Sequence, residues 1–370
     1  MFQLLLTVVV ILCSVSSSSA ANKVARLAKS HFAQHGVRLP TRKFMEAMRA
    51  AAVDISEASC RKSLVIIGMA NEEALNHTVP LFLESLRRVQ ITSGQHAGQT
   101  LDGRLVLVAW SLEALAACSA LQATYSHQCV RDAEHPSPKG SFGFHSHGFN
   151  VLGFAKIKYI LNGLSAGHDV VFLDTDLLLL RDPLPYLLGQ GGDMYGAMEK
   201  CMVVNASLHL HAREYVAGGR KAPPLNIGVL YFKATAGVTR CVYNWAWDML
   251  NEAPFRPMIW DQDIYGKIMA KCALTHNLRW KALDPRVFQS ACFPACGCTF
   301  TDAEMVPERF GNFSRGMPFI GDHECGPQHW GDWIVRHFPC SGSTKTKGEF
   351  MSNMLQGVLE GKPVQITRKW

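Results

Sequence analysis

The sequence predicts an α/β fold with a mostly parallel central sheet. Two observations lead to this fold class. Short continuous apolar runs of strand length alternate with helical segments from Ser63 onward, which is typical of a sheet covered by helices on its faces. An acidic pair, Asp174 and Asp176, leaves the end of one apolar run, and ligands bind beyond the carboxyl ends of strands in such sheets.

The strands and helices can be assigned in chain order. The predicted strands are SLVIIGMA from Ser63, RLVLVAWS from Arg104, a short segment within 125–130, and DVVFLD from Asp169. The predicted helices are residues 78–89, SLEALAACSAL from Ser111, and FNVLGFAKIKYILNGLSAG, which ends at Gly167. With 370 residues, of which 48% are hydrophobic, the chain is long enough to bury a substantial core.

We divide the chain into three regions. Residues 1–20 resemble a signal peptide or a signal anchor, because an apolar run precedes Ala20 and Ala21. Residues 21–58 are rich in Ala, Lys and Arg and are expected to form a stem or an N-terminal helix. Residues 59–370 are expected to form the main folded domain, with a Cys-rich C-terminal part. This organisation predicts a secretory-pathway protein that meets a membrane only through its N-terminal segment.

Two further features indicate a lumenal or extracellular address. Glycosylation sequons begin at Asn76, Asn205 and Asn312. Of the twelve cysteines, Cys13 lies in the leader, and an oxidising compartment would pair most of the remaining eleven and leave one thiol free. The crowded C-terminal cysteines run CFPACGC, which favours disulfides over a zinc site. A nucleic-acid partner is excluded behind a signal peptide, and the net charge of +7 is compatible with anionic substrates.

The acidic pair predicts a site for one hard divalent cation. Asp174 and Asp176 directly follow an apolar strand, and the apolar segment LLLL and then RDPLPYL come after them. Two carboxylates at this spacing can present oxygen ligands to Mg²⁺ or Mn²⁺, with further positions open to phosphate. Such pairs are often solvated turns or helix caps, so the apolar setting is the informative part.

The blocks GHDVVFLDTD, RDPLPY, LNIGVLYFKAT and WDQDIYG occur in this order and resemble the nucleotide-diphospho-sugar transferase family, glycosyltransferase family 77. The resemblance extends from about Ser63 to Phe350. It implies a type A glycosyltransferase fold, retention of anomeric configuration, Mn²⁺ or Mg²⁺ as cofactor and a UDP-sugar as donor. A glycan or glycoprotein is the implied acceptor, and the Golgi lumen is the address that fits this chemistry best.

The resemblance also implies roles for the acidic pair and for the later LNIG block. Asp174 would lie near the metal and the nucleotide ribose, and Asp176 would ligate the metal. Asn226 and Gly228 would shape the pocket for the donor sugar or the acceptor, although LNIGVLYF also fits a plain core strand.

Two further blocks supply the remaining candidates. Asp261 and Asp263 would lie near the acceptor or the transferred sugar, with helix capping as the alternative for both. His337 would complete the metal site, and Lys345 or Lys347, in a segment that also contains glycine, would meet the diphosphate.

Other polar residues have simpler interpretations. Lys156 and Lys158 precede the acidic pair on a predicted helix, where solvent-facing side chains are expected in preference to contacts with a nucleotide. His145 and His147 are expected to be exposed in a turn in preference to binding metal.

Two other functions stay open at this point. A haloacid-dehalogenase-type phosphatase also carries Asp-x-Asp after an apolar strand, but Leu178 stands where that motif usually has Thr or Val. A secreted, disulfide-braced glycan-binding protein without catalysis would use the acidic pair structurally or for Ca²⁺.

Overall fold

The computed structural model describes residues 40–55, 62–132, 147–199, 210, 212–217, 224–252, 255–256, 259–290, 323–339 and 342–366. The expected leader, most of the expected stem, two of the three sequons and most of the C-terminal cysteines lie outside these residues. Within the described ranges, no helix has both the length and the apolar character that crossing a membrane requires.

The described residues form thirteen strands. They are β1 (Val53–Asp54), β2 (Ser63–Ala70), β3 (Leu105–Ala109), β4 (Gln128–Arg131), β5 (Asp169–Leu173), β6 (Leu177–Leu179), β7 (Met194–Met198), β8 (Leu225–Phe232), β9 (Trp280–Ala282), β10 (Phe288–Ser290), β11 (His323–Cys325), β12 (Val335–His337) and β13 (Val364–Ile366).

Eleven α-helices accompany these strands in the described ranges. They are α1 (Arg42–Ala51), α2 (Glu72–His77), α3 (Val79–Arg88), α4 (Leu112–Leu121), α5 (His147–Ser165), α6 (Leu184–Gly189), α7 (Ala212–Val216), α8 (Ala236–Glu252), α9 (Asp261–His276), α10 (Pro327–Trp330) and α11 (Thr344–Glu360). All the predicted strands and helices from Ser63 to Leu173 are present, with ends that differ by a few residues.

The central sheet has the strand order β4-β3-β2-β5-β8-β7-β9, and β1 pairs with β2. Strands β2 to β5 are mutually parallel where they pair, and β9 is parallel to β7. The predicted mostly parallel sheet is therefore confirmed. The sequence did not predict that β8 would run antiparallel between β5 and β7. This direction places the first residues of β8 at the carboxyl end of β5.

Alternate residues of each central strand enter two separate cores, one on each face of the sheet. In β2, Val65 and Ile67 belong to the core that also includes buried residues of α1, α5, α8 and α9. Leu64 and Ile66 point to the other core, which α3, α4 and α11 cover. A sheet buried on both faces explains why its strands are continuous apolar runs.

Helix α1, which belongs to the region expected to form a stem or an N-terminal helix, packs on the first of these cores. Phe44, Met48 and Ala51 are buried there, and the Phe44 ring lies 6.1 Å from that of Tyr159 on α5. The backbone N–H of Phe44 donates to the Thr41 hydroxyl, which caps the start of the helix. Helix α1 is therefore packed against the central sheet and α5.

Two disulfides connect elements of the described chain. Cys118–Cys129 joins α4 to β4, and Cys241–Cys272 joins α8 to α9. Every cysteine whose side chain is described is paired. The expected single free thiol and the pairing of the C-terminal cluster remain predictions, because those side chains lie outside the described residues.

Candidate metal and substrate site

A cavity of about 450 Å³ opens at the carboxyl ends of β2 and β5. Its walls come from the start of α2, the middle of α5, the start of β8, the start of α9 and the start of α11. The predicted residues in its lining are Asp174, Asp176, Asn226, Gly228, Asp261, His337 and Lys347. Residues up to 173 positions apart therefore meet at the edge where the sheet topology predicts a ligand site.

The acidic pair is held by backbone hydrogen bonds to neighbouring strands. The Asp174 N–H donates to the Gly228 carbonyl at 2.8 Å, and the Thr175 hydroxyl donates to the Met69 carbonyl at 3.3 Å. Asp176 accepts the Phe338 N–H at its carbonyl at 2.9 Å. The chain therefore turns at the end of β5 with both carboxylates facing the cavity.

His337 reaches the acidic pair because β12 and β6 pair antiparallel. His337 lies opposite Leu177, which places its Nε2 3.0 Å from Asp176 Oδ1 and 3.9 Å from Asp174 Oδ2. The imidazole is buried against Gly228, where an added Cβ would lie 2.7 Å from Nε2. Glycine is therefore required at 228 for this packing.

These three side chains fit a divalent cation. One ligand atom from each of Asp174, Asp176 and His337 lies within 4.8 Å of the others. Two carboxylate oxygens and an imidazole nitrogen are suitable donors for Mn²⁺, and the open side of the cavity leaves positions for phosphate oxygens or water.

Asp176 is charged in this setting. Burial alone would raise the pKa of its carboxyl, but Lys347 and His337 together hold that pKa well below its usual range. Lys347 Nζ lies 2.6 Å from Asp176 Oδ2. Both carboxylate oxygens of Asp176 therefore have a partner.

The expected exposure of Lys156 was wrong. Lys156 is buried, and its Nζ lies 3.0 Å from Asp174 Oδ1 and 3.9 Å from Asp261 Oδ2. It also donates to the Ile227 carbonyl at 3.3 Å. Burial opposes its charge, but the two carboxylates outweigh that effect and raise its pKa. Lys156 therefore compensates two acidic groups of the cavity.

Lys158 is also buried, contrary to expectation. Its Nζ lies 3.0 Å from Asp132 Oδ2, and the Tyr159 hydroxyl donates to the same oxygen. Helix α5 packs against the sheet and against α8 and α9, so little of its surface reaches solvent. The nearly continuous apolar sequence of this helix was the available signal, since helices that are apolar on all sides are buried.

Asp261 and Asp263 differ in environment. Asp261 is buried at the start of α9, and Oδ2 has no hydrogen-bond partner among the described residues. Burial raises the pKa of this carboxyl to about 6, although the charge of Lys156 opposes the shift. Asp263 is exposed, does not line the cavity, and accepts the Trp260 N–H at 3.3 Å. The helix-capping alternative thus describes the geometry of Asp263.

The wall formed by the starts of β8 and α9 contains one predicted amide and one that the sequence did not single out. Asn226 is buried, and its Oδ1 accepts the Gly228 N–H at 2.9 Å, which directs its amide NH₂ away from that bond. Gln262 Oε1 accepts the Ile227 N–H at 3.3 Å and lines the cavity. The position of Gln262 within WDQD, between the two predicted aspartates, was the available signal.

Lys345 and Lys347 lie on α11, which begins after the Ser343 cap. Lys347 lines the cavity together with Gly342, Ser343 and Thr344. Lys345 is exposed and is absent from the described lining. His145 lies outside the described residues, as does the side chain of His147, although His147 begins α5.

Comparisons with known proteins give one family and several distant relatives. The family model described as nucleotide-diphospho-sugar transferase matches residues 101–307, more than half of the chain. The UDP-D-xylose:L-fucose alpha-1,3-D-xylosyltransferase of Arabidopsis thaliana is 24% identical over 176 residues, which are 47% of this chain and 45% of that protein. The chain thus matches less than half of that relative's length.

Two similar solved structures have low sequence identity. The galactosyltransferase LgtC, in complex with donor and acceptor sugar analogues, is 12% identical with a TM-score of 0.42, over 80% of this chain and 96% of that one. Mouse xyloside xylosyltransferase 1, in its apo form, is 14% identical with a TM-score of 0.42, over 75% of this chain and 98% of that one.

Proposed function

Because the chain belongs to the nucleotide-diphospho-sugar transferase family, we propose that it is a metal-dependent, retaining glycosyltransferase with a UDP-sugar as donor. The observation that carries the proposal is the convergence of Asp174, Asp176 and His337 within 4.8 Å at one cavity. A divalent cation held by these three side chains would neutralise charge on the departing diphosphate.

We assign the diphosphate to the side of the cavity that the start of α11 forms. Gly342, Ser343, Thr344 and Lys347 line it, and the N-terminus of a helix favours anions through its free N–H groups and its dipole. A lysine adds compensating charge. Lys347 is therefore the lysine of this segment that we assign to the diphosphate.

We assign the sugar to the side of the cavity that is lined by Asn226, Asp261 and Gln262. Asp261 Oδ2 is buried without a hydrogen-bond partner in the described part of the chain, and a buried acceptor of this kind gains from a sugar hydroxyl that donates to it. Lys156 keeps Asp261 close to Asp174 through contacts with both carboxylates. We assign Asp261 to orientation of the transferred sugar.

The transfer breaks the bond between the anomeric carbon and the β-phosphate oxygen and forms a bond from that carbon to the acceptor oxygen. The electron pair of the broken bond leaves with the diphosphate. The acceptor hydroxyl approaches from the face that the diphosphate leaves, and its proton passes to a phosphate oxygen. Fixed charges aimed at the departing diphosphate are the main source of rate enhancement.

UDP-xylose is the donor that we propose to test first, because the curated relative is described as a UDP-D-xylose transferase. UDP-arabinofuranose and UDP-galactose are the alternatives. For the acceptor we propose a glycan or glycoprotein in the Golgi lumen. The leader-like N-terminus and the sequons support this compartment, and Asn76 of the first sequon is exposed on α2.

The experiment is nucleotide release by the purified full chain across a panel of UDP- and GDP-sugars, with Mn²⁺ or with chelator and with controls that lack acceptor. Asp176→Ala removes a proposed metal ligand. Asp332→Asn is the matched control, since Asp332 is 89% exposed and pairs only with Arg181 among the described residues. We expect metal-dependent UDP release from one donor, lost in Asp176→Ala alone, and a product whose anomeric configuration by NMR equals that of the donor.

Other results would overturn the proposal. Cleavage of a phosphate monoester with no sugar nucleotide bound or hydrolysed would support a phosphatase instead. Tight glycan binding with neither reaction would support a binding protein without catalysis.

A further inference from the structure

We propose that Lys347 acts as an exchangeable cation in the metal site. Its ammonium group forms an ion pair with the Asp176 carboxylate in the metal-free protein. It moves to the diphosphate when metal and nucleotide bind together. Lys347 would then couple the binding of the metal to that of the nucleotide. This inference rests on the proposed function, because it takes Asp174, Asp176 and His337 as the ligands of a divalent cation.

Each carboxylate oxygen of Asp176 already has a partner. His337 Nε2 lies 3.0 Å from Oδ1, and Lys347 Nζ lies 2.6 Å from Oδ2. A cation that bound Asp176 through Oδ2 would meet the ammonium directly, and two positive charges at that distance repel strongly in a partly buried site. His337 needs no such displacement, because a neutral imidazole is itself a metal ligand.

The two lysines of the cavity are held differently. Lys156 is only 6% exposed and contacts Asp174, Asp261 and the Ile227 carbonyl. Lys347 is 20% exposed, and Asp176 is its one carboxylate partner among the described residues. Lys156 is therefore held in place, whereas breaking one ion pair releases Lys347.

The start of α11 offers a new position for the released Lys347 side chain. Lys347 lies one turn into α11, and Gly342, Ser343 and Thr344 line the cavity just before it. A diphosphate drawn to this helix N-terminus would lie within the reach of the same lysine. The ammonium would then exchange a carboxylate for phosphate oxygens without any change of fold.

This exchange of partners links the affinity for the metal to the affinity for the nucleotide. Mn²⁺ alone must break the Lys347–Asp176 pair, whereas Mn²⁺ together with a diphosphate gives the ammonium a new partner. Because coupling between two ligands is reciprocal, Lys347 opposes metal binding in the absence of nucleotide, and this opposition is relieved when the nucleotide supplies a new partner for the ammonium. A lysine with a merely structural role would not change the effect of UDP on Mn²⁺ affinity.

The test is Mn²⁺ titration of the full chain by calorimetry, with and without UDP, in the wild type and in Lys347→Met. Methionine keeps much of the length of the side chain and removes its charge. The control is Lys362→Met, since Lys362 is 71% exposed and pairs with Glu360 beyond the cavity. Thermal unfolding of each variant establishes that it is folded.

We expect Lys347→Met to bind Mn²⁺ alone about fivefold more tightly, the order of magnitude of one partly exposed ion pair. We expect UDP to enhance Mn²⁺ affinity less in this variant than in the wild type, and Lys362→Met to behave as the wild type. Equal Mn²⁺ affinities of wild type and Lys347→Met without UDP would overturn the exchange while leaving the proposed function intact. Absence of Mn²⁺ binding to the wild type would overturn both.

Discussion

His337 Nε2 lies 3.0 Å from Asp176 Oδ1, although 161 residues separate the two in the chain. The contact exists because β12 pairs with β6, the strand that begins directly after Asp176. The small sheet β10-β12-β6 therefore builds the candidate metal site by fixing one imidazole beside the acidic pair.

Gly228→Ala tests the packing that holds this imidazole. The added methyl group would lie 2.7 Å from His337 Nε2 and 2.8 Å from Nδ1, so the ring must move away from the carboxylates. We expect a loss of Mn²⁺ affinity of at least about tenfold, the usual effect of a misplaced ligand or supporting group. Calorimetric Mn²⁺ titration measures it.

Gly189→Ala is the control for this substitution, because a Cβ at 189 meets no atom within 4 Å. Unchanged Mn²⁺ affinity in Gly228→Ala would mean that the position of His337 does not determine metal binding.

Asp261→Asn and Asp263→Asn are expected to differ. Asp261 is buried in the cavity beside Lys156, whereas Asp263 is exposed and caps α9. We expect Asp261→Asn to reduce kcat for sugar transfer by about a hundredfold or more, which corresponds to roughly 3 kcal/mol of lost stabilisation in the transition state. Asp263→Asn should keep its kcat and lose at most about 1 kcal/mol of stability.

Steady-state kinetics and urea unfolding of both variants provide the test. Equal losses of kcat in the two variants would show that the capping residue is also part of the catalytic site.

Lys156→Met is expected to destabilise the chain. Removal of the ammonium leaves Asp174 and Asp261 close together without their shared cation. A loss of about 2 kcal/mol in the free energy of unfolding is expected, less than for a fully buried pair because Asp174 is partly exposed. Mn²⁺ should restore part of the loss, since it supplies positive charge to Asp174.

Urea unfolding with chelator and with Mn²⁺ measures both effects. Lys156→Met combined with Asp261→Asn should be more stable than Lys156→Met alone, because one uncompensated carboxylate is removed. A double variant less stable than the single one would contradict the assigned role of Lys156.

The burial of His168 should make the free energy of unfolding fall at acidic pH. His168 is buried, its Nδ1 lies 2.7 Å from the Ser63 hydroxyl, and burial, aided by the charge of Arg49, lowers its pKa. The unfolded chain then binds the proton more readily than the folded chain, so stability is lost as pH falls below about 6.5.

His168→Gln should make the free energy of unfolding depend less on pH in this range. Its stability relative to the wild type should therefore improve as pH falls from about 6.5 to about 5, compared with the difference between the two proteins at pH 8. Urea unfolding at each pH gives the comparison. A difference between the two proteins that does not vary with pH would exclude His168 as a source.

The order of elements from Ser63 to Leu173 and the α/β class could be predicted from the sequence, because strands buried on both faces are continuous apolar runs. The observed sheet confirms the predicted α/β class, and the family match confirms the resemblance to the nucleotide-diphospho-sugar transferase family. The antiparallel direction of β8 could not be predicted, since a fully buried strand has the same apolar pattern in either direction. The pairing of β6 with β12 could not be predicted either, because a three-residue strand is too short to show a recognisable hydrophobic pattern.

The site could be predicted only as a set of separate motifs. Asp174 and Asp176 have a local signal at the end of β5, but their contacts with Lys156, His337 and Lys347 depend on tertiary packing. Lys156 was assigned to solvent because a lysine within a helix is usually exposed, and the buried carboxylates that stabilise its charge are distant in sequence. The family match favours a transferase over the phosphatase alternative, whereas the roles of single residues remain predictions.

Pulsed electron paramagnetic resonance of Mn²⁺ bound to the full chain together with UDP tests directly whether His337 and the diphosphate bind the same ion. We expect nitrogen coupling from a directly bound imidazole, lost in His337→Gln, and phosphorus coupling from the diphosphate on the same ion. Mn²⁺ that shows the same nitrogen signal in wild type and His337→Gln, or no phosphorus coupling in the presence of UDP, would contradict this expectation.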